Sequence, residues 1–178
     1  REKINSISDL DKKKKYIDEI LSHERKKNFV KETYLANYNI DEKDFLHDVR
    51  FIDGTKYKNV DLFVGGSPCQ SFSIMGYQKG FEDTRGTLFF DICRILSFHK
   101  PKMFFLENVK GLVSHKNGQT LNVILENLKT LGYDVHWTVL SSLDFGLPQK
   151  RERWYCVGFD KKVDFKFPDK FNCTPTLR

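Results

Sequence analysis

Four side chains in this sequence have the types and settings for covalent chemistry. Cys69 follows a Gly65-Gly66 turn in the stretch DLFVGGSPCQSFSIMGYQKGFEDTRGTLFFD, residues 61–91. A thiol at the end of a strand, exposed rather than packed, can ionise and act as a soft nucleophile. Glu107 stands at the end of the apolar run Phe104-Phe105-Leu106, where burial would raise its pKa and suit it to give up a proton at neutral pH. Arg151 and Arg153, in Gln149-Lys150-Arg151-Glu152-Arg153, alternate with period two, so a strand would put both on one side. Their planar forks suit carboxylates and other planar acceptors better than lysine does. Each also has a structural reading: a buried small hydrophobe, a turn cap, a basic surface segment. The three stretches carry weight together.

Positioning these groups requires strands that end near one another. Leu62-Phe63-Val64, bounded by two glycines, reads as a short buried strand; Phe104–Leu106 is a second. Leu88 through Leu96 turns helical. Leu121, Ile124, Leu125 and Leu128 fall on one face of a helix that Gly132 stops, and Gly111–Thr120 before it reads as a polar turn. Val135–Leu140 and Trp154–Phe159 alternate as strands do. Strands alternating with helices at this spacing imply an α/β sheet, in which ligands gather at the carboxyl ends of the strands. Residues 1 to about 38 are rich in Lys and Glu with apolar positions at helical spacing, and Lys12–Lys15 is read as a solvated helix face.

Pro68-Cys69-Gln70, then Glu107-Asn108-Val109, then Gln149-x-Arg151-x-Arg153, in this order and spacing, strongly resembles the C5-cytosine DNA methyltransferases, over roughly residues 46 to 168. The resemblance implies a Rossmann-like S-adenosylmethionine-dependent methyltransferase sheet with flanking helices. It implies that Cys69 adds to C6 of a flipped cytosine, that Glu107 acts at N3, and that Arg153 reaches O2 and holds Glu107 with Arg151 beside it. By the same likeness Asp48, Val49, Gly66, Pro68 and Leu88 line the site for S-adenosyl-L-methionine, with Asp48 accepting from the adenine amino group. Ser67, Gln70, Ser71, Ser73, Arg85 and Asn108 are the expected substrate contacts. The glycine-spaced loop after Gln70 suits closure over a base taken out of double-stranded DNA.

Two family features are not found. Gly54 is the first glycine, so the glycine-rich cofactor turn is absent, and Glu24 is not a confident match to the ribose-binding acid. After Phe159 the chain becomes charged and irregular where the family passes to a target-recognition domain. The expected organisation is a helical segment 1–45, a catalytic core 46–168 and a linker 169–178, incomplete at both ends. The leading expectation is a DNA (cytosine-5-)-methyltransferase of a bacterial restriction-modification system. The alternatives are a catalytically incomplete fragment or subunit needing a second chain or missing segments, and an RNA (tRNA) C5-cytosine methyltransferase.

Composition is compatible with these readings. The chain has 178 residues, enough for one real core. Its +6 formal charge suits a polyanionic partner. The four cysteines and five histidines show no zinc spacing, so no metal is expected. Cys93 on a helix and Cys156 in a strand read as structural. No apolar run approaches the ~18 residues of a membrane span, and a reduced, cytoplasmic, bacterial setting is expected.

Overall fold

The computed structural model describes residues 29–46, 48–49, 52, 57, 59–67 and 88–171, with Asp9, Lys12, Lys13, Lys15, Tyr16 and Glu19. The chain divides into two compact units, Arg1–Ile52 and Asp53–Arg178. In the first, helix α1 spans Phe29–Asn37 and a 3-10 turn spans Glu42–Asp44. Lys31 forms an ion pair with Glu42, and Tyr34 stacks near Tyr38 and Phe45.

The second unit is built on a four-stranded sheet: β1 (Leu62–Gly65), β2 (Met103–Val109), β3 (Asp134–Ser141) and β4 (Glu152–Phe159). The strand order is β1-β2-β4-β3. β1 and β2 run parallel, joined through helix α2 (Leu88–His99). β4 enters antiparallel between β2 and β3. A short helix α3 (Gly111–Ser114) and helix α4 (Gln119–Thr130) connect β2 to β3. The α/β methyltransferase-like architecture expected from the sequence is the one observed.

The core follows from side-chain spacing. Phe89, Ile92, Cys93 and Leu96 repeat at intervals of three and four along α2, and Leu121, Ile124 and Leu128 do so along α4. Both stripes pack on one face of the sheet, against Phe104, Leu106, Trp154 and Cys156. Full burial of each large apolar side chain contributes about 1.5–3 kcal/mol. Phe104 is opposite Gly158, where an added Cβ would lie 2.1 Å from the phenyl ring. Glycine there lets the ring lie across the strand. Tyr133 packs edge-on against Phe104 and its hydroxyl donates to the Pro101 carbonyl at 3.0 Å. Cys93 and Cys156 are fully buried free thiols, and burial pushes both up to about 12.

Two expectations need correction. β1 is a strand but not a buried one: Leu62 is 49% and Val64 63% exposed. It lies at the sheet edge with a single neighbour among the described strands, and only its alternate residues meet the core. Gly111–Thr120 is not a simple polar turn. It contains α3, with Leu112 fully buried, then a 3-10 turn ending at Gly118, whose φ of 83° sets up the start of α4 at Gln119.

Candidate active site

The β1 and β2 carboxyl ends lie side by side because the strands are parallel and in register, Gly65 opposite Leu106. Directly beyond, Gly66 meets the backbone of Glu107: a Cβ on Gly66 would come within 2.5 Å of the Glu107 carbonyl oxygen. Only glycine permits this approach without displacing one strand from the other. Ser67 is fixed next, through its carbonyl, which accepts from Asn108 Nδ2 at 2.8 Å. The Asn108 side chain is buried, and its Oδ1 accepts from the Val109 N–H at 2.9 Å. A single amide thus ties the end of β2 to the residue two positions before Cys69.

Glu107 and Asn108 are neighbours in β2 and therefore point to opposite faces. Asn108 faces the helices; Glu107 faces away. Across the sheet, Glu107 is opposite Tyr155 and Val109 is opposite Arg153, so Glu107 and Arg153 are diagonal neighbours on one face. Arg153 Nε lies 2.9 Å from Glu107 Oε1, and an Arg153 terminal nitrogen donates to the Glu152 carbonyl at 2.9 Å. Both ends of the guanidinium are held, leaving a fixed planar donor beside a carboxylate. The burial expected to keep a proton on Glu107 is not found, since its side chain is 42% exposed. β2 ends two residues later, and that face of the sheet is open at this point.

Arg151 is placed differently from the expectation. β4 begins at Glu152, so Arg151 precedes the strand and is exposed rather than alternating along it with Arg153. Its carbonyl accepts from the Ser142 N–H at 3.2 Å, so the arginine-bearing loop is pinned to a 3-10 turn, Ser142–Phe145. Glu152 pairs with Lys110 at 2.7 Å, and that partner holds its carboxyl below the usual range.

The structure thus brings Gly66, Ser67, Glu107, Asn108 and Arg153 together at one end of the sheet. Leu88 is the half-buried first residue of α2. Asp48 and Val49 are half-buried in the first unit, and no strand flanks them among the described residues. Pro68, Cys69, Gln70, Ser71, Ser73 and Arg85 lie outside the described residues. A cavity of about 230 Å3, partly open to solvent, lies on the helix side, lined by Gly66, Ser67, Leu106, Asn108, Leu112 and Trp154 among others. Trp154 was read from the sequence only as the start of an apolar strand. A tryptophan between a charged stretch and a core strand signals a buried ring whose N–H must find an acceptor. Among the described residues no cluster of His, Cys, Asp or Glu could hold a metal ion, and no helix is long and apolar enough to cross a membrane.

The family model of the C-5 cytosine-specific DNA methylases matches residues 9–177. The chain belongs to this family. It is similar to the type II methyltransferase M.NgoBI of Neisseria gonorrhoeae, 51% identical over 144 residues that cover 81% of this chain and 44% of that protein. It is also similar to the type II methyltransferase M.HaeII of Haemophilus aegyptius, 54% identical over 130 residues, 73% of this chain and 41% of the relative. The chain spans about two-fifths of the length of these curated relatives. Among solved structures, S. pombe Dnmt2 methyltransferase matches with a TM-score of 0.52 and 24% identity, over 66% of this chain and 37% of that one. That likeness is one of fold.

Proposed function

We propose that this chain is the catalytic core of a DNA C5-cytosine methyltransferase of a bacterial restriction-modification system, with residues 46–168 as the working part, in the cytoplasm. The observation that carries the reading is the Glu107–Arg153 pair, fixed at 2.9 Å at the sheet end where Asn108 holds Ser67, two residues before Cys69.

The chemistry follows from the groups available. Cytosine C5 is too weak a nucleophile to take a methyl group unaided. The Cys69 thiolate adds to C6 of a base flipped out of the duplex, forming the C6–S bond and pushing electron density to C5. Glu107 meets N3, where the displaced charge collects; entry of the base excludes water from the half-open face and favours proton sharing with N3. Arg153 presents its remaining donors to O2 while it orients Glu107, and Arg151 sits beside the entrance. C5 then takes the methyl group as the donor's methyl–sulfur bond breaks. Loss of the C5 proton to a base and expulsion of the thiolate restore the aromatic ring and free Cys69.

S-adenosyl-L-methionine supplies an electrophilic methyl group on a sulfonium. The residues here fit it in type: the Asp48 carboxylate for the adenine amino group, with Val49, Gly66, Pro68 and Leu88 offering close backbone and apolar contact. Ser67, Gln70, Ser71, Ser73 and Arg85 supply hydroxyl, amide and guanidinium donors for a nucleotide's sugar and phosphate.

A second reading is favoured by one observation, the two-fifths coverage of the relatives. In it, a second chain or further segments supply the glycine-rich cofactor turn and the target-recognition surface. Trapping separates the readings. Protein is mixed with S-adenosylmethionine and a duplex carrying 5-fluorocytosine, whose C5 fluorine cannot leave as a proton does, beside a Cys69→Ser control. A denaturation-resistant adduct that is lost in the control supports the proposal for the chain alone. An adduct formed only with added amino-terminal and recognition segments supports the second reading. No adduct with DNA in either case rejects both, and an adduct with tRNA would replace the substrate class.

A further inference from the structure

Trp154 is buried, and its indole N–H is the buried side-chain donor that meets no acceptor among the described residues. Folded proteins resolve nearly all such donors with a protein acceptor or an ordered water. The sheet register places Asn108 directly opposite Trp154, on the helix-facing side. Both line the cavity beneath the Gly66-Ser67 turn. Asn108 spends one amide hydrogen on the Ser67 carbonyl and one lone pair on the Val109 N–H. One hydrogen and one lone pair of that amide remain, as does the second lone pair of the Ser67 carbonyl. An apolar void would stay dry; a void with an indole donor, an amide and a carbonyl at its wall offers the two to four polar partners that a buried water needs.

We infer that this cavity holds one ordered water, accepting from the Trp154 indole N–H and bonding to the Asn108–Ser67 group. Trp154 is thereby a positioning residue for the turn that leads into Cys69. Its action is indirect: it keeps the Asn108 amide in the orientation that holds Ser67. The positioning part rests on the function proposed above, whereas the water does not, and the two are tested separately.

The water is tested by NMR on the 15N-labelled protein. The chain has two tryptophans, and Trp137 at 39% exposure is the internal reference. The Trp154 indole proton should exchange with D2O far more slowly than that of Trp137, yet show a cross-peak to a long-lived water. Slow exchange without that cross-peak overturns the water. The positioning role is tested with Trp154→Phe, or, where that variant does not fold, with β-(3-benzothienyl)alanine at 154 and Phe at 137, which keeps the ring shape and removes the donor. Loss of the donor should lower kcat for cytosine methylation roughly tenfold, with KM for DNA unchanged and the thermal transition still cooperative. An unchanged kcat in a folded variant overturns the positioning role. If the parent protein methylates no cytosine, the proposed function fails, and the cross-peak still decides the water.

Discussion

The two faces of β2 do different work. Phe104, Leu106 and Asn108 point towards α2 and α4 and are buried; Phe105 and Glu107, each one residue away, face the other side and are partly open. The first face is dry, with two unreactive thiols and a phenyl ring seated over a glycine. The second carries a charged pair diagonal across the strands and, on neighbouring β1, the exposed Leu62 and Val64. A period of two thus lets one strand serve stability and chemistry without mixing them. Asn108 is the exception that links the faces, since it uses the buried side to hold the turn next to the reactive one.

Substitutions should respect this division. Phe104→Ala should have the largest effect on stability, about 3–5 kcal/mol in urea unfolding, because it empties a fully buried site that Gly158 cannot refill. Gly66→Ala should cost less, about 1–3 kcal/mol, since the new methyl forces β1 from β2 at one point. Its methylation rate should fall by more than its stability suggests. Equal, small losses in both would mean that the approach of Gly66 to Glu107 has no part in the site. Arg153→Lys keeps the charge but not the fork. It should change stability by under ~1 kcal/mol, because the pair is partly solvated, while lowering methylation at least ~10-fold. A variant that methylates normally would break the comparison at its most charged point.

Two smaller effects read the faces by titration. Burial puts Cys93 and Cys156 at about 12, so both should resist alkylation at pH 8 in the folded protein and react once it is unfolded. Reaction of either in the folded state would contradict the dry face. On the open face, the Val163 N–H, donating to Asp134 at 3.1 Å, and then His136 hold the Asp134 carboxyl below its usual range. A depressed folded value stabilises the fold above the unfolded carboxylate range near pH 4 and is lost as pH falls through the folded value. Asp134→Asn should therefore lower the urea midpoint slightly at pH 7 and converge with the parent as pH falls below ~4. Parallel curves would exclude this link.

Much of this arrangement was legible in the sequence. The three- and four-residue spacing of Leu121, Ile124 and Leu128 gave α4 its buried stripe, and the alternation of 135–140 and 154–159 gave β3 and β4. The closeness of Glu107 and Arg153 was expected from the motifs and is observed. Periodicity carries no information on strand order, however, so β4 entering between β2 and β3 could not be read: antiparallel insertion depends on contacts far apart in sequence. The same limit explains β1, whose apolar run looked central and lies at an edge. Burial of Glu107 was inferred from the strand before it, but a residue near a strand's end keeps one open face. Nothing in the pattern flagged the Trp154 N–H, because hydrophobic periodicity counts the ring and ignores its donor.

The division between the faces, and the assignment of Glu107 to chemistry, meet in one comparison: the rate of methyl transfer to cytosine by Glu107→Gln against its melting temperature. The substitution keeps shape and removes the acid. The account predicts a rate at least ~100-fold lower with a melting temperature within about 2 °C of the parent. A normal rate, or a rate that falls only as far as the folded fraction falls, would contradict it.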